Sequence, residues 1–481
     1  MQESTCDVLV IGAGPAGYPA AIRAAQLGMK TVVVDAMRNP DTGAEGAWGG
    51  VCANAGCIPS KAMIAASTAA EEFMHGAPAF GISVDPGAVH LDFARMQAHR
   101  AQCVKGSNTG LAHLFAKYKV RAVAGTAAFE ERRKDFWCLS VQGSGGEEKI
   151  LARHVIIACG TRARELEGAG FDEKDIVSHI GALQFPEPPK SLGIIGAGVI
   201  GLELGSLWHR LGSAVTLIDV APEILASADS AVRRTVRLAL DKDGLIFEMS
   251  TRVQSVEKTP EGVRVRTSSS AGGQKEFVFD KLLVAAGRVS LAQGIAPEKV
   301  GLKLTERGYI AVDDCGRTNL ENVWAAGDVT GGIQLAHAAR EQGLNVIASI
   351  AAGRPAAYHS PVPSVVYVEP EAAWVGESED RARARGEAVR TGLCPFAANG
   401  RARAQDAAQG FVKVVVQEST DRILGVHIVG CGAADLAAEA ACAIAFGATA
   451  EDLGLVMHPH PSFSEALMQA ALASRRQATD I

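Results

Sequence analysis

Short apolar runs, each stopped by a glycine or an acid, recur along the chain and predict strands of a buried parallel sheet. The first, Asp7-Val8-Leu9-Val10-Ile11, leads into Gly12-Ala13-Gly14-Pro15-Ala16-Gly17, a helical stretch from Tyr18 to Gly28, and a second run, Thr31 to Val34, ended by Asp35. In this order of strand, glycine turn, helix, strand and acid, the glycines let a pyrophosphate approach the helix N-terminus. The acid accepts hydrogen bonds from a ribose diol. The same order returns at Leu192 to Ile195, with Gly196, Gly198 and Gly201, a helix to Leu211, and Val215 to Ile218 ended by Asp219. The interval from first glycine to acid is identical in the two copies, so two dinucleotides are expected. A carboxylate at Asp219 repels a 2′-phosphate and no Arg follows closely, which favours NAD over NADP.

Between the copies, Phe73 to Phe115 reads mainly as helix with a polar break near Asp85-Pro86-Gly87, and Val120 to Val141 and Ile150 to Cys159 read as strands. After the second copy, Val263 to Val265 and Phe277 to Phe279 predict a hairpin. Lys281 to Ala286 predicts a buried strand ending at Gly287-Arg288, and Val323 to Ala326 a strand stopped by Gly327-Asp328. Leu335 to Ala352 is a long helix. From about Pro361 the pattern changes to strands at Phe411 to Gln417 and Ile423 to Val429 and an alanine-rich helix from Asp435 to Phe446, the layout of a compact α+β domain.

A chain of 481 residues predicts about three domains. Its net charge of −6, without a basic run, argues against nucleic acid as a partner. Neither a membrane-length apolar stretch nor a basic-apolar leader is present, so a cytoplasmic protein is expected, with no membrane partner. Eight of the ten cysteines are scattered (Cys6, Cys103, Cys138, Cys159, Cys315, Cys394, Cys431 and Cys442) and are expected to be mostly buried, reduced thiols.

The remaining two, Cys52 and Cys57, stand in Gly49-Gly50-Val51-Cys52-Ala53-Asn54-Ala55-Gly56-Cys57-Ile58-Pro59-Ser60-Lys61, where the chain turns helical. A helix N-terminus favours thiolate over thiol, and Lys61, one turn beyond Cys57, adds to that bias. The pair reads either as a redox-active disulfide or as two structural thiols; the glycines before Cys52 and the Gly-Cys-Ile-Pro turn favour the first. Taken alone, Asp328 reads as a helix cap. Likewise His458-Pro459-His460-Pro461-Ser462-Phe463-Ser464-Glu465 reads as two exposed histidines and an unrelated Glu, although a His with a Glu five residues on is also the pattern of an oriented acid–base pair.

Together, Gly12 to Tyr18, Gly49 to Lys61, Gly196 to Gly205, Thr318 to Asp328 with Leu335-Ala336-His337, Pro370-Glu371 and His458 to Glu465 resemble the flavoprotein disulfide reductases, most closely the dihydrolipoamide dehydrogenases. The resemblance implies an α/β fold of two Rossmann-like dinucleotide-binding domains, for FAD and NAD, and a C-terminal α+β dimerisation domain. The implied limits are 1–160 and 287–358 for the FAD domain, 161–286 for the NAD domain and 359–481 for the dimerisation domain. Carried onto this chain, the reacting groups fall on Cys52, Cys57, His460 and Glu465, with the His–Glu pair supplied by the partner subunit of a homodimer. The FAD contacts fall on Gly12, Gly14, Gly17, Asp35, Lys61, Ala127, Gly160, Asp328 and Ala336. The NAD contacts fall on Gly196, Gly198, Gly201, Glu203, Asp219, Val253 and Gly287, and Lys61 is expected to pair with Glu203. The implied substrate is dihydrolipoamide on lipoyl domains of the acyltransferase (E2) component of 2-oxo acid dehydrogenase complexes. No lipoyl repeat precedes residue 1, so that group is expected on another chain. Mercuric reductases carry a Cys pair near the C-terminus that is missing before Ile481, and soluble transhydrogenases are disfavoured by the retention of both Cys52 and Cys57. Two departures stand out: an insertion-like Arg38 to Ala47, and Pro459 between the two histidines.

Overall fold

The computed structural model describes residues 2–270, 272–355, 357 and 359–481, and the counts below refer to these. The first unit opens with β1 (Gln2–Ile11), α1 (Gly17–Gln26) and β2 (Thr31–Asp35), then α2 (Gly50–Ala55), α3 (Cys57–His75) and α4 (Phe93–Lys117). β3 (Arg121–Ala124), β4 (Thr126–Arg133), β5 (Phe136–Gly143) and β6 (Gly146–Ile157) complete it, in the sheet order β3-β2-β1-β6-β5-β4. Strand β1 lies parallel to β2 and β6. Covered on both faces, its Val8, Leu9 and Val10 are fully buried, which is why that run shows no polar alternation. Each such side chain contributes roughly 1.5–3 kcal/mol.

Two chain crossings join the first unit to the second, and there β7 (Thr161–Ala163) pairs antiparallel with a later strand, β16 (Arg288–Ser290). Between them lie β8 (Ile176–Val177), α5 (His179–Ala182), β9 (Ser191–Ile195), α6 (Val199–Arg210), β10 (Ala214–Ile218), α7 (Ser230–Asp243) and β11 (Ile246–Glu248). The three-stranded antiparallel β12 (Thr251–Thr259), β13 (Gly262–Ser269) and β14 (Gln274–Phe279) follow, then β15 (Lys281–Val284) and β16 (Arg288–Ser290). The second parallel sheet has the order β11-β10-β9-β15-β8. The hairpin expected at Val263 and Phe279 is present, with β12 as a third strand. The apolar pattern hides β12 because most of its residues face solvent.

The chain then returns to the first sheet, where β17 (Val323–Ala325) pairs with β6 and α8 (Ala336–Ala352) packs against α1. The last unit has β18 (Ser364–Val366), β19 (Ala372–Gly376), α9 (Glu379–Ala384), β20 (Val389–Pro395), α10 (Gly400–Ala404), β21 (Phe411–Gln417), β22 (Ile423–Val429), α11 (Ala433–Ala445), α12 (Ala450–Leu455) and α13 (Glu465–Ser474). Its antiparallel sheet, β18-β19-β22-β21-β20, carries α11 on one face. One apolar core joins all three parts: Met63 of α3 shares it with Trp208 of α6 and with Val366, Trp374 and Phe411 of the last unit. Leu455, Val456 and Met457 are exposed side by side, as is Phe446 just after α11, so this unit offers an apolar face for association. Among the described residues no helix is long and apolar enough to cross a membrane.

Candidate active site

In an unbroken helix, side chains five residues apart diverge and are separated by about 7.5 Å along the axis. Here the helix breaks at Gly56 (φ −133°, ψ −111°), and α3 restarts at Cys57. A Cβ on Gly56 would stand 3.1 Å from Val51 O, a tight contact that a side chain here relieves only by a small shift of the turn. The break brings Cys57 back beside Cys52, and both thiols are reduced here. Buried Asn54 holds the preceding turn, its amide donating to Ala47 O, Trp48 O and Gly50 O at 3.0, 3.1 and 2.9 Å.

The two sulfurs sit in different surroundings. The adjacent Cys52 thiol, with help from Lys61 and against the cost of burial, draws the Cys57 thiol below its usual range, to about 7. Beside the Cys57 sulfur and half-buried, Cys52 is held well above the usual thiol range. Lys61 Nζ lies 2.7 Å from Glu203 Oε2 and 4.5 Å from the ring centroid of Tyr367, whose N–H donates to Glu203 Oε1 at 3.1 Å. The Lys61–Glu203 pairing expected from the sequence is therefore present geometrically, and Tyr367 joins it.

The two glycine turns repeat each other in detail. A Cβ on Gly12 would meet Ala158 O at 2.3 Å and one on Gly196 would meet Ala285 O at 2.5 Å, while Gly17 and Gly201 touch the carbonyls of Gly12 and Gly196. Their absence of side chains is required by the fold. The middle glycines differ: nothing lies within 4 Å of a Cβ on Gly198, and only Gly50 Cα, at 3.8 Å, near one on Gly14. Neither α1 nor α6 has a side-chain cap, so the N-terminal amides remain for a ligand. Asp35 accepts from Ala13 N at 2.5 Å and Met37 N at 2.7 Å; Asp219 accepts from Ala197 N at 2.7 Å and Ala221 N at 2.8 Å. Both acids thus brace the turn while keeping acceptor capacity for a ribose. These residues fit two dinucleotides.

Around the chain crossings, Asp328 Oδ2 accepts from Thr161 Oγ1 at 3.0 Å, and Arg288 donates to Thr161 Oγ1 at 2.6 Å and Thr161 O at 2.8 Å. Gly160 and Gly287 supply left-handed turns at those crossings. Ala336 begins α8. Ala127 is a core residue of β4 in register with Val141, and Val253 sits beside the bulge of β12. The Arg38 to Ala47 insertion folds as a small hairpin, with Arg38 paired to Glu45 and Asp41 accepting from Arg100 of α4 at 2.5 Å and from Gln184 at 3.0 Å.

At the far end of the chain, His460 Nδ1 lies 2.8 Å from Glu465 Oε1, and Ser462 N donates to Glu465 Oε2 at 2.8 Å. Against the upward push of partial burial, the Ser462 amide and the His460 ring hold the Glu465 carboxyl below its usual range. Glu465 accepts from Nδ1–H, which leaves Nε2 as the basic nitrogen. The reading of two exposed histidines with an unrelated Glu is replaced on both counts: His460 is paired, with its side chain 79% exposed, whereas the side chain of His458 is only 4% exposed. The scattered cysteines also differ from expectation. Cys6, Cys138 and Cys394 are buried, Cys103, Cys159 and Cys315 are half-buried, and Cys431 and Cys442 are exposed on and beside α11.

Comparison with known proteins places this geometry in a family. Residues 6–343 match the family described as pyridine nucleotide-disulphide oxidoreductase, and residues 362–471 match the dimerisation domain of that family. The chain belongs to the pyridine nucleotide-disulphide oxidoreductases. It is 43% identical over 467 residues to a dihydrolipoyl dehydrogenase of Cupriavidus necator, covering 97% of each chain. It is also 43% identical over 479 residues to the dihydrolipoyl dehydrogenase of Thermus scotoductus, covering 99% of each. Among solved structures, LpdA of Mycobacterium tuberculosis superposes with a TM-score of 0.88 at 25% identity, covering 99% of both chains.

As a member of this oxidoreductase family the chain uses FAD and NAD. Several of its site groups escaped the sequence reading. Tyr367 and Glu439 carry no motif, since the first acts across a domain junction and the second reaches His458 from another segment of the last unit; His458 stands in a motif, but its pairing with Glu439 left no signal there. Asn54 left a weak signal, a lone amide amid alanines between two cysteines.

Proposed function

We propose that this protein is an NAD-dependent, FAD-containing dihydrolipoyl dehydrogenase, a cytoplasmic homodimer that oxidises dihydrolipoamide carried on lipoyl domains of acyltransferase components of 2-oxo acid dehydrogenase complexes. The observation that carries the reading is the juxtaposition of Cys52 and Cys57 across the helix break at Gly56, with Lys61, held by Glu203 at 2.7 Å, one turn beyond Cys57. In the oxidised form the two are joined. A substrate thiolate attacks Cys52, the Cys52–Cys57 bond breaks and Cys57 leaves as thiolate, the better leaving group because its pKa is lower. The second substrate thiol then attacks its neighbour in the mixed disulfide, closing lipoamide and releasing Cys52. His460 of the partner subunit, oriented by Glu465, takes the thiol proton at Nε2. Lys61, held by Glu203, keeps a positive charge near Cys57. When bound, FAD supplies the two-electron relay from the dithiol to NAD⁺. Gly12 to Gly17, Asp35, Gly160 and Asp328, with Ala127 and Ala336, are the residues to hold it; Gly196 to Gly201, Glu203, Asp219, Val253 and Gly287 are those for NAD.

The test is a side-by-side assay of the purified holoenzyme with dihydrolipoamide and NAD⁺, with NADP⁺ in its place, and with oxidised glutathione and NADPH. Reduction of NAD⁺ by dihydrolipoamide is expected. Turnover with glutathione and NADPH alone overturns the reading.

A further inference from the structure

We propose that His458 and Glu439 form a second imidazole–carboxylate pair, whose task is to position the segment that presents His460; this rests on the reading of His460 as proton acceptor. The segment lies between the end of α12 at Leu455 and the start of α13 at Glu465. Among the described residues, Met457 to Pro461 takes part in no main-chain to main-chain turn or loop hydrogen bond. Pro459 and Pro461 have no N–H to give. Such a stretch holds its shape only through side chains, and His460, exposed as it is, gains little from packing within its own chain.

The side chains that hold it stand on either side of His460. Downstream, Glu465 receives Ser462 N, and Asn399 Nδ2 donates to Ser462 O at 2.8 Å. Upstream there is only His458. Its Nδ1 lies 2.8 Å from Val456 O and its Nε2 lies 2.8 Å from Glu439 Oε1. Glu439 and the Val456 carbonyl thus engage the two ring nitrogens from opposite edges, which fixes the ring in one orientation. Glu439 is fixed in turn, because its helix α11 buries Ala437 and Ala440 against the sheet of the last unit. A chain of contacts therefore runs from a rigid helix, through His458 and the stiff Pro459, to His460. Losing the upstream anchor leaves the Glu465 bond intact but lets the segment that aims the ring drift, and a displacement near 1 Å costs up to about a hundredfold in rate.

The experiment uses the FAD-loaded dimer and separates two half-reactions by rapid mixing: reduction of the bound flavin by dihydrolipoamide, and its reduction by NADH. His458→Gln and Glu439→Ala are expected to slow the dithiol half-reaction about tenfold or more while leaving the NADH half-reaction within about twofold. Glu439→Gln keeps an acceptor oxygen in place and is expected to restore most of the dithiol rate. Thermal unfolding and sizing of each variant report any loss of fold or dimer. Equal slowing of both half-reactions, an unchanged dithiol rate in His458→Gln, or no rescue by Glu439→Gln overturns the proposal. Failure of the unmodified protein to accept electrons from dihydrolipoamide overturns the functional reading itself, a result separable from the variants.

Discussion

Lys61 Nζ and Glu203 Oε2 stand 2.7 Å apart, tying the helix that begins at Cys57 to α6, the helix that follows the second glycine turn. The two partners act on Cys57 in opposite directions, Lys61 favouring its thiolate and Glu203 opposing it. Lys61→Ala is therefore expected to move the titration of the reduced Cys57 thiol upward, and Glu203→Gln to move it downward, provided Lys61 stays in place over Tyr367. The check is the alkylation rate of the reduced protein against pH. Shifts of the same sign in both variants count against a direct electrostatic role for the pair.

Cys52 and Cys57 are expected to differ in the same assay. The Cys57 thiol is held at about 7, below its ordinary value, so its thiolate dominates as pH rises through that point and is lost below it. In the FAD-loaded Cys52→Ser variant, Cys57 keeps a hydroxyl donor, and a long-wavelength absorption between thiolate and flavin is expected to appear with rising pH. Cys57→Ser is expected to show none. The reverse pattern exchanges the two roles.

Asp219 both braces the second glycine turn and offers acceptor capacity to a ribose. Asp219→Ala removes a charged acceptor from two backbone amides and from the ligand. The expected result is a weakening of NAD binding by about tenfold or more, since hydrogen bonds to charged groups are worth about 1.5–3 kcal/mol. Titration of NADH binding by fluorescence measures it. A loss confined to the NADPH form runs against the assigned preference.

What the sequence could show depended on how local each feature is. Gly12, Gly17, Gly196 and Gly201 face carbonyls only a few residues away or on the neighbouring strand, so their spacing alone announces the turn. The Cys52 to Lys61 stretch is likewise one continuous turn and helix start. His458 gave a misleading signal, because a histidine between Met457 and Pro459 looks solvated until Glu439 arrives from another helix. Tyr367 belongs to a strand-forming run, and its place over Lys61 follows from how the last unit packs on α3. Cys431 and Cys442 are exposed because α11 and the loop before it leave one side uncovered in the single chain, a property of assembly that composition does not carry.

The same packing of the last unit onto the second sets up one buried charge cluster. Lys413 Nζ of β21 lies 3.0 Å from both oxygens of Asp229, the residue that caps α7, and 2.8 Å from Glu379. Asp229 is fully buried and Lys413 is 8% exposed, so neither charge has water to fall back on. Removing one partner of such a pair costs about 3–5 kcal/mol, while replacing both by apolar groups is close to neutral. Asp229→Asn is therefore expected to lower the thermal midpoint by several degrees, and Asp229→Leu with Lys413→Met to recover much of it. The pH dependence has a definite sign. Despite the upward push of burial, His427 and Lys413 hold the Asp229 carboxyl below its ordinary value. Its stabilisation is then present above about pH 4, the unfolded carboxylate value, and is lost as pH falls through the folded one. The gap in midpoint between the unmodified protein and Asp229→Asn is expected to be constant near neutrality and to close on acidification below pH about 4. A gap that persists unchanged in acid shows that the cap on α7, rather than the charge pair, carries the stabilisation.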